Sequence, residues 1–195
     1  MEKKYTVGLV LMALLAMTMS VSANVNTVNH VKGVAANAEW FPAPGGGFAY
    51  IDVSQNTPKG THDMVTNVFV ETCDVASNCG LYSGTVPNSV FNVKGMGSPK
   101  EADLSSVTLP LLFSFGGSPP PTITVDAVWT GVGDITKSSF ESKSISGNLI
   151  TRFAYDTSVR SATAIGSDSV HGALGTTSFA NLFNFREFSQ ILTKP

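Results

Sequence analysis

Between Thr122 and Thr130 the chain alternates strictly enough to fix its own conformation. Ile123, Val125, Ala127 and Trp129 share one face of an extended strand. Thr122, Thr124, Asp126 and Thr130 share the other, with Val128 the single exception. A period of two with one apolar and one polar face describes a strand lying between a core and water. Its β-branched and aromatic residues suit a pleated surface. Three prolines, Pro119 to Pro121, rule out a helix running into it, and Gly131 and Gly133 mark its end.

The same pattern recurs along the chain. Gly33 to Phe41 sets Val34, Ala36, Ala38 and Trp40 against polar and small residues. A Pro- and Gly-rich turn, Pro42 to Gly47, joins it to a strand from Phe48 to Ser54, a predicted hairpin. Met64 to Thr72 is apolar on both faces and reads as a covered central strand. Val86 to Val93 and Glu101 to Phe115 follow, with a bulge or edge expected at Pro110, which has no N–H to donate. Asp134 to Ser146 is poor in apolar residues and reads as solvent-facing edge strand or loop. Ser146 to Asn148 is a turn. Leu149 to Tyr155 and Val159 to Ile165 are read as two strands joined at Asp156 to Ser158, and Phe179 to Leu192 as a closing strand. About 9–11 short strands with frequent turn signals indicate an all-β, antiparallel β-sandwich of the jelly-roll or immunoglobulin-like kind.

Residues 1–23 are set apart as a signal peptide. Lys3 and Lys4 precede an apolar run from Val7 to Met17, and Val21 and Ala23 place small residues before Asn24. The apolar run falls short of the ~20 residues a membrane span needs. No second such run follows, so no membrane span is expected after cleavage. Residues 24–195 then form a single domain, with Asn24 to Lys32 as a loose N-terminal arm. Secretion, or retention in the periplasm or at the cell surface, is the expected location.

The full chain carries 12 Lys and Arg and 14 Asp and Glu. Removing Glu2, Lys3 and Lys4 leaves 10 and 13, scattered without a basic cluster, which argues against nucleic acid as a partner. Cys73 and Cys79 would meet an oxidising compartment, and the five residues between them form a closable loop. A disulfide pinning two strands is expected, with a stabilisation of roughly 2 kcal/mol. The spacing is wrong for a C-x-x-C redox pair, and two thiols with no His nearby do not make a zinc site.

Chemistry is sparse. His30, His62 and His171 all fall in predicted loops or the arm and read as solvent-exposed, so His62→Ala and His171→Ala are expected to leave activity untouched. No Gly-x-Ser-x-Gly elbow, phosphate loop, calcium loop or dinucleotide fingerprint is present, and no cofactor or metal is expected. The candidate ligand surface is aromatic: Trp40, Phe41, Phe48 and Tyr50 flank the first turn, where flat rings can stack on sugars or anchor a protein. Trp40 and Trp129 can equally be core residues. The expected function is that of an exported, non-enzymatic binding module or structural surface component, with carbohydrate or another surface protein as partner. The alternative is an extracellular hydrolase acting on polysaccharide through an acidic pair drawn from Asp52, Glu71, Asp126 and Glu141.

Overall fold

A computed structural model describes residues 27–57, 63–95 and 97–193 of the chain. The expected signal peptide and His62 lie outside the described residues. Nine strands make up nearly all of the rest: β1 (Thr27–Trp40), β2 (Phe48–Thr57), β3 (Val65–Cys73), β4 (Cys79–Val86), β5 (Phe91–Lys94), β6 (Glu101–Gly116), β7 (Thr122–Ser146), β8 (Leu149–Asp168) and β9 (Gly172–Thr193). A single 3-10 turn, Asn88–Val90, breaks the segment read as one strand from Val86 to Val93.

All pairings are antiparallel, in the order β4-β3-β2-β1-β9-β8-β7-β6-β5, with a further pairing between β4 and β6. Jelly-roll and immunoglobulin-like connectivity sets strands distant in sequence side by side. Here neighbours are consecutive in sequence except at β1–β9 and β4–β6, the pattern of a meander.

The sheet curves around one buried cluster. The Trp129 indole on β7 donates its Nε1–H to the Asn37 carbonyl on β1 at 2.8 Å. In the strand order β9 and β8 lie between β7 and β1, which in a flat sheet would set them about 14 Å apart. A side chain spans that separation only if the sheet bends toward its apolar face. That face carries Ala36, Ala38, Ile51, Val53, Val68, Val70, Leu109, Val125 and Trp129, all buried. Small residues on β1 and β8 leave the room that the two indoles fill.

Two local readings are corrected. The arm is strand from Thr27 onward, because β9 supplies it with partners from Thr27↔Ile191 to Ala38↔Ala180. Asp156 to Ser158 is no turn: β8 passes straight through, held on one side by Ser139 to Lys137 of β7 and on the other by Arg186 to Asn184 of β9. The segment from Asp134 to Ser146 is the expected solvent-facing edge strand, paired with β8 alone, and forms the outer half of a single 25-residue β7. At Pro110 the expected irregularity falls nearby, where the β6–β7 register shifts between Leu104 and Val107. Pro110 itself stands just before β6 takes up β4 at Leu111.

Candidate functional site

The first hairpin closes through Gly45, Gly46 and Gly47, all with positive φ. Gly47 is needed twice over, since a Cβ there would lie 2.1 Å from the Cys73 carbonyl oxygen. This close approach seats the hairpin against the end of β3. There Cys73 and Cys79 are directly paired residues of β3 and β4 and form the expected disulfide. The loop between them is fastened by Asp74, whose carboxylate accepts from the Asn78 backbone N–H at 2.9 Å and side-chain amide at 2.7 Å. Those bonds hold the Asp74 carboxyl below its usual range.

The four aromatic candidates part company. Trp40 is buried, 3% exposed, and its Nε1–H donates to the Gly175 carbonyl at 3.1 Å, so its rings are covered by the core. Phe41 is 68% exposed at the turn. Phe48 and Tyr50 are half-buried on the outer face of β2, opposite Ala49 and Ile51.

Tyr50 belongs to a larger surface. Cross-strand pairing sets Glu39 (β1), Tyr50 (β2), Glu71 (β3), Leu81 (β4) and Phe113 (β6) in one row. The adjoining row holds Asn37, Asp52, Phe69 and Ser83. Tyr50 and Phe69 meet edge to face at 6.5 Å, and Phe113 and Phe115 lie nearly parallel at 6.4 Å. Phe113 is 61% exposed. Aromatic side chains and carboxylates thus stand side by side across five strands on the outer surface of the sheet.

The electrostatics of this face are unusual for strand carboxylates. Asp52 accepts a hydrogen bond from the Tyr50 hydroxyl at 3.1 Å, yet burial dominates and its carboxyl is pushed up to about 6. Burial, then the neighbouring Asp52 charge, pushes the Tyr50 hydroxyl far above its ordinary value. Burial and the nearby Glu39 raise Glu71. A pH dependence follows. Because Asp52 binds its proton more tightly folded than unfolded, its contribution to stability is full below about pH 4 and is lost as pH rises through 6. Asp52→Asn should therefore gain on the wild type by on the order of 2 kcal/mol between pH 4 and pH 8. Urea midpoints measured across that range check this, and parallel curves would refute it.

Of the other expected acids, Asp126 lies on β7 and accepts a hydrogen bond from the Ser167 hydroxyl. Glu141 is exposed near the tip of β7. Neither joins Asp52 and Glu71. Among the described residues no group of His, Cys, Asp and Glu is arranged to hold a metal ion, and no helix is long and apolar enough to cross a membrane.

One constellation escaped the sequence reading. His171 is not a solvent-exposed loop residue: its side chain is 3% exposed and that of Asp168 1%. Nδ1 of His171 lies 2.9 Å from Asp168 Oδ2, and Nε2 lies 3.1 Å from the Cys73 carbonyl oxygen. Asp168 also accepts the backbone N–H groups of Val170 and His171. The pair ties the β8–β9 turn to the disulfide end of β3. Both its side chains are almost wholly covered by protein. Its partners are 98 residues apart in sequence, and no local signal announces them. His30, by contrast, is exposed on β1 beside Phe188 at 4.9 Å. No protein-family model, no curated protein and no solved structure is matched by this chain.

Proposed function

We propose that the chain is an exported, non-enzymatic binding protein that takes a carbohydrate on the outer face of β2, β3, β4 and β6. The observation that carries this reading is the cross-strand row of Glu39, Tyr50, Glu71, Leu81 and Phe113, flanked by Phe69 and Phe115. Exposed phenyl faces stack on the apolar faces of sugar rings, and carboxylates between them accept hydrogen bonds from sugar hydroxyls. Export rests on residues 1–23 and on the disulfide, which fits an oxidising compartment. The same reading takes the curved sheet as a two-layered β-sandwich within a single domain, and the reach of Trp129 to Asn37 supports it.

A glycan and polysaccharide array, followed by titration of any hit, tests the proposal. A hit whose affinity drops tenfold or more in both Phe113→Ala and Tyr50→Ala, and is unchanged in Phe41→Ala, fits it. A blank array, or a hit indifferent to Phe113, overturns it. The hydrolase alternative draws on a separate observation: Asp52, with its raised carboxyl, and Glu71 share this face on neighbouring strands. Release of reducing sugar that vanishes in both Asp52→Asn and Glu71→Gln would favour that reading.

A further inference from the structure

β7, β8, β9 and β1 run on past the buried cluster as a four-stranded extension, and along it the polarity of the sheet inverts. The core face of the body bears Ala36, Ala38, Leu182 and Ala162. Followed along the same strands, that face becomes charged, with Lys32, Lys137, Lys143, Arg152, Asp156 and Arg186 all exposed. The opposite face, which is polar over much of the body, becomes aromatic and carries one charge, Glu187. Charge depletion with aromatic enrichment is the composition of an interface centre. From Ile135 of β7 onward the extension's strands pair only with one another and with β2, and the half-buried Phe153, Tyr155, Phe183 and Phe185 stand on this face.

We propose that a second copy of this chain covers the aromatic face, the two extensions packing back to back about a two-fold axis that runs parallel to the strands between β8 and β9. The register argues for a second copy over any other occupant. Each cross-strand row pairs a β8 residue with a β9 residue: Tyr155 with Glu187, Phe153 with Ser189, Thr157 with Phe185 and Val159 with Phe183. A two-fold axis in this position brings each β8 residue against the β9 residue of its own row in the second copy. Every phenyl ring then meets a smaller side chain, and the one carboxylate meets the one phenol, which can donate to it. A self-complementary surface of this kind is what isologous association requires.

Size agrees. Four strands about 4.8 Å apart and about ten residues long, at about 3.3 Å each, present roughly 600 Å². Two copies would bury roughly 1,200 Å², the lower end of stable interfaces. Because each body curves toward its charged-face side, the two bodies bend away from the shared layer.

Sedimentation of the purified protein from about 1 to 100 μM tests this. The expected result is a dimer that dissociates on dilution. Phe153→Lys should be monomeric throughout while its far-UV circular dichroism stays that of the wild type. The milder Tyr155→Phe should keep the fold and weaken association about tenfold. Lys143→Glu, on the opposite face, should sediment as the wild type does. A wild type that is monomeric at 100 μM, a dimer unaffected by Phe153→Lys and Tyr155→Phe, or one disrupted equally by Lys143→Glu overturns the proposal.

Discussion

Replacing His171 with alanine should lower the stability of the protein by about 3 kcal/mol, the cost of leaving a buried carboxyl group and a buried carbonyl without their hydrogen-bond partner. The ring meets oxygen on both sides, Asp168 at Nδ1 and the Cys73 carbonyl at Nε2, with the Thr72 hydroxyl 3.4 Å from Nδ1. Its loss leaves the Asp168 carboxylate, 1% exposed, with two backbone N–H donors and no side-chain partner. A buried carboxylate in that position cannot recover its hydration. The turn between β8 and β9 also loses its tie to β3. Urea denaturation followed by circular dichroism measures the effect, and a fall in Tm of roughly 10 °C should accompany it. His30→Ala, on an exposed strand position, should stay within about 0.5 kcal/mol. If His171→Ala matched His30→Ala, the ring would be a bystander and the β8–β9 turn would be held by the Asp168 backbone contacts alone.

His171 also shows where local reading stops. Its neighbours in sequence, Ser169, Val170 and Gly172, carry the signature of a loop, and the chain does turn there. What buries the ring is β3, brought up by pairings that no short window contains. The period-two stretches behaved differently. Ile123, Val125, Ala127 and Trp129 are all buried and Val128 is the outward exception, because alternation is a local record of which face meets the core. The turn at Gly147 and Asn148 and the Cys73–Cys79 bridge were legible for the same reason: both are local. In the long halves of β7, β8 and β9 the strands were legible but their continuity was not. Ser- and Thr-rich sequence has little apolar period to read, and its strands are held by hydrogen bonds to the strands beside them. Asp156 to Ser158 looks like a turn only until β7 and β9 are placed beside it. The candidate surface divided along the same line. Tyr50 was visible as an outward aromatic, whereas Glu71, Leu81 and Phe113 join it only through register across four strands.

Trp129→Ala should cost about 3–5 kcal/mol, as expected for emptying the site of a fully buried large aromatic. Trp129 is 0% exposed. Its cross-strand neighbours are Ala102 on β6 and Ala164 on β8, residues too small to close over the space it leaves. Phe91 of β5 packs edge-on against the indole at 6.4 Å and loses that contact. The Asn37 carbonyl on β1 loses a 2.8 Å hydrogen bond inside the curve of the sheet. The indole therefore holds three separate parts of the strand order against one another: β7, β5 and β1. Trp129→Phe separates the terms. It keeps much of the packing and removes the hydrogen bond, and it should cost about 1–2 kcal/mol from the unpaired carbonyl together with some lost packing. Phe113→Ala on the outer face should change stability by no more than about 0.5 kcal/mol. Denaturant unfolding of the three variants gives the ranking. A Trp129→Ala protein as stable as Phe113→Ala would mean that the curvature is held by strand pairing alone. The expected order, Trp129→Ala far below Trp129→Phe and Phe113→Ala near the wild type, would place the closure of the sheet on the indole and leave the outer aromatic row free to serve a ligand.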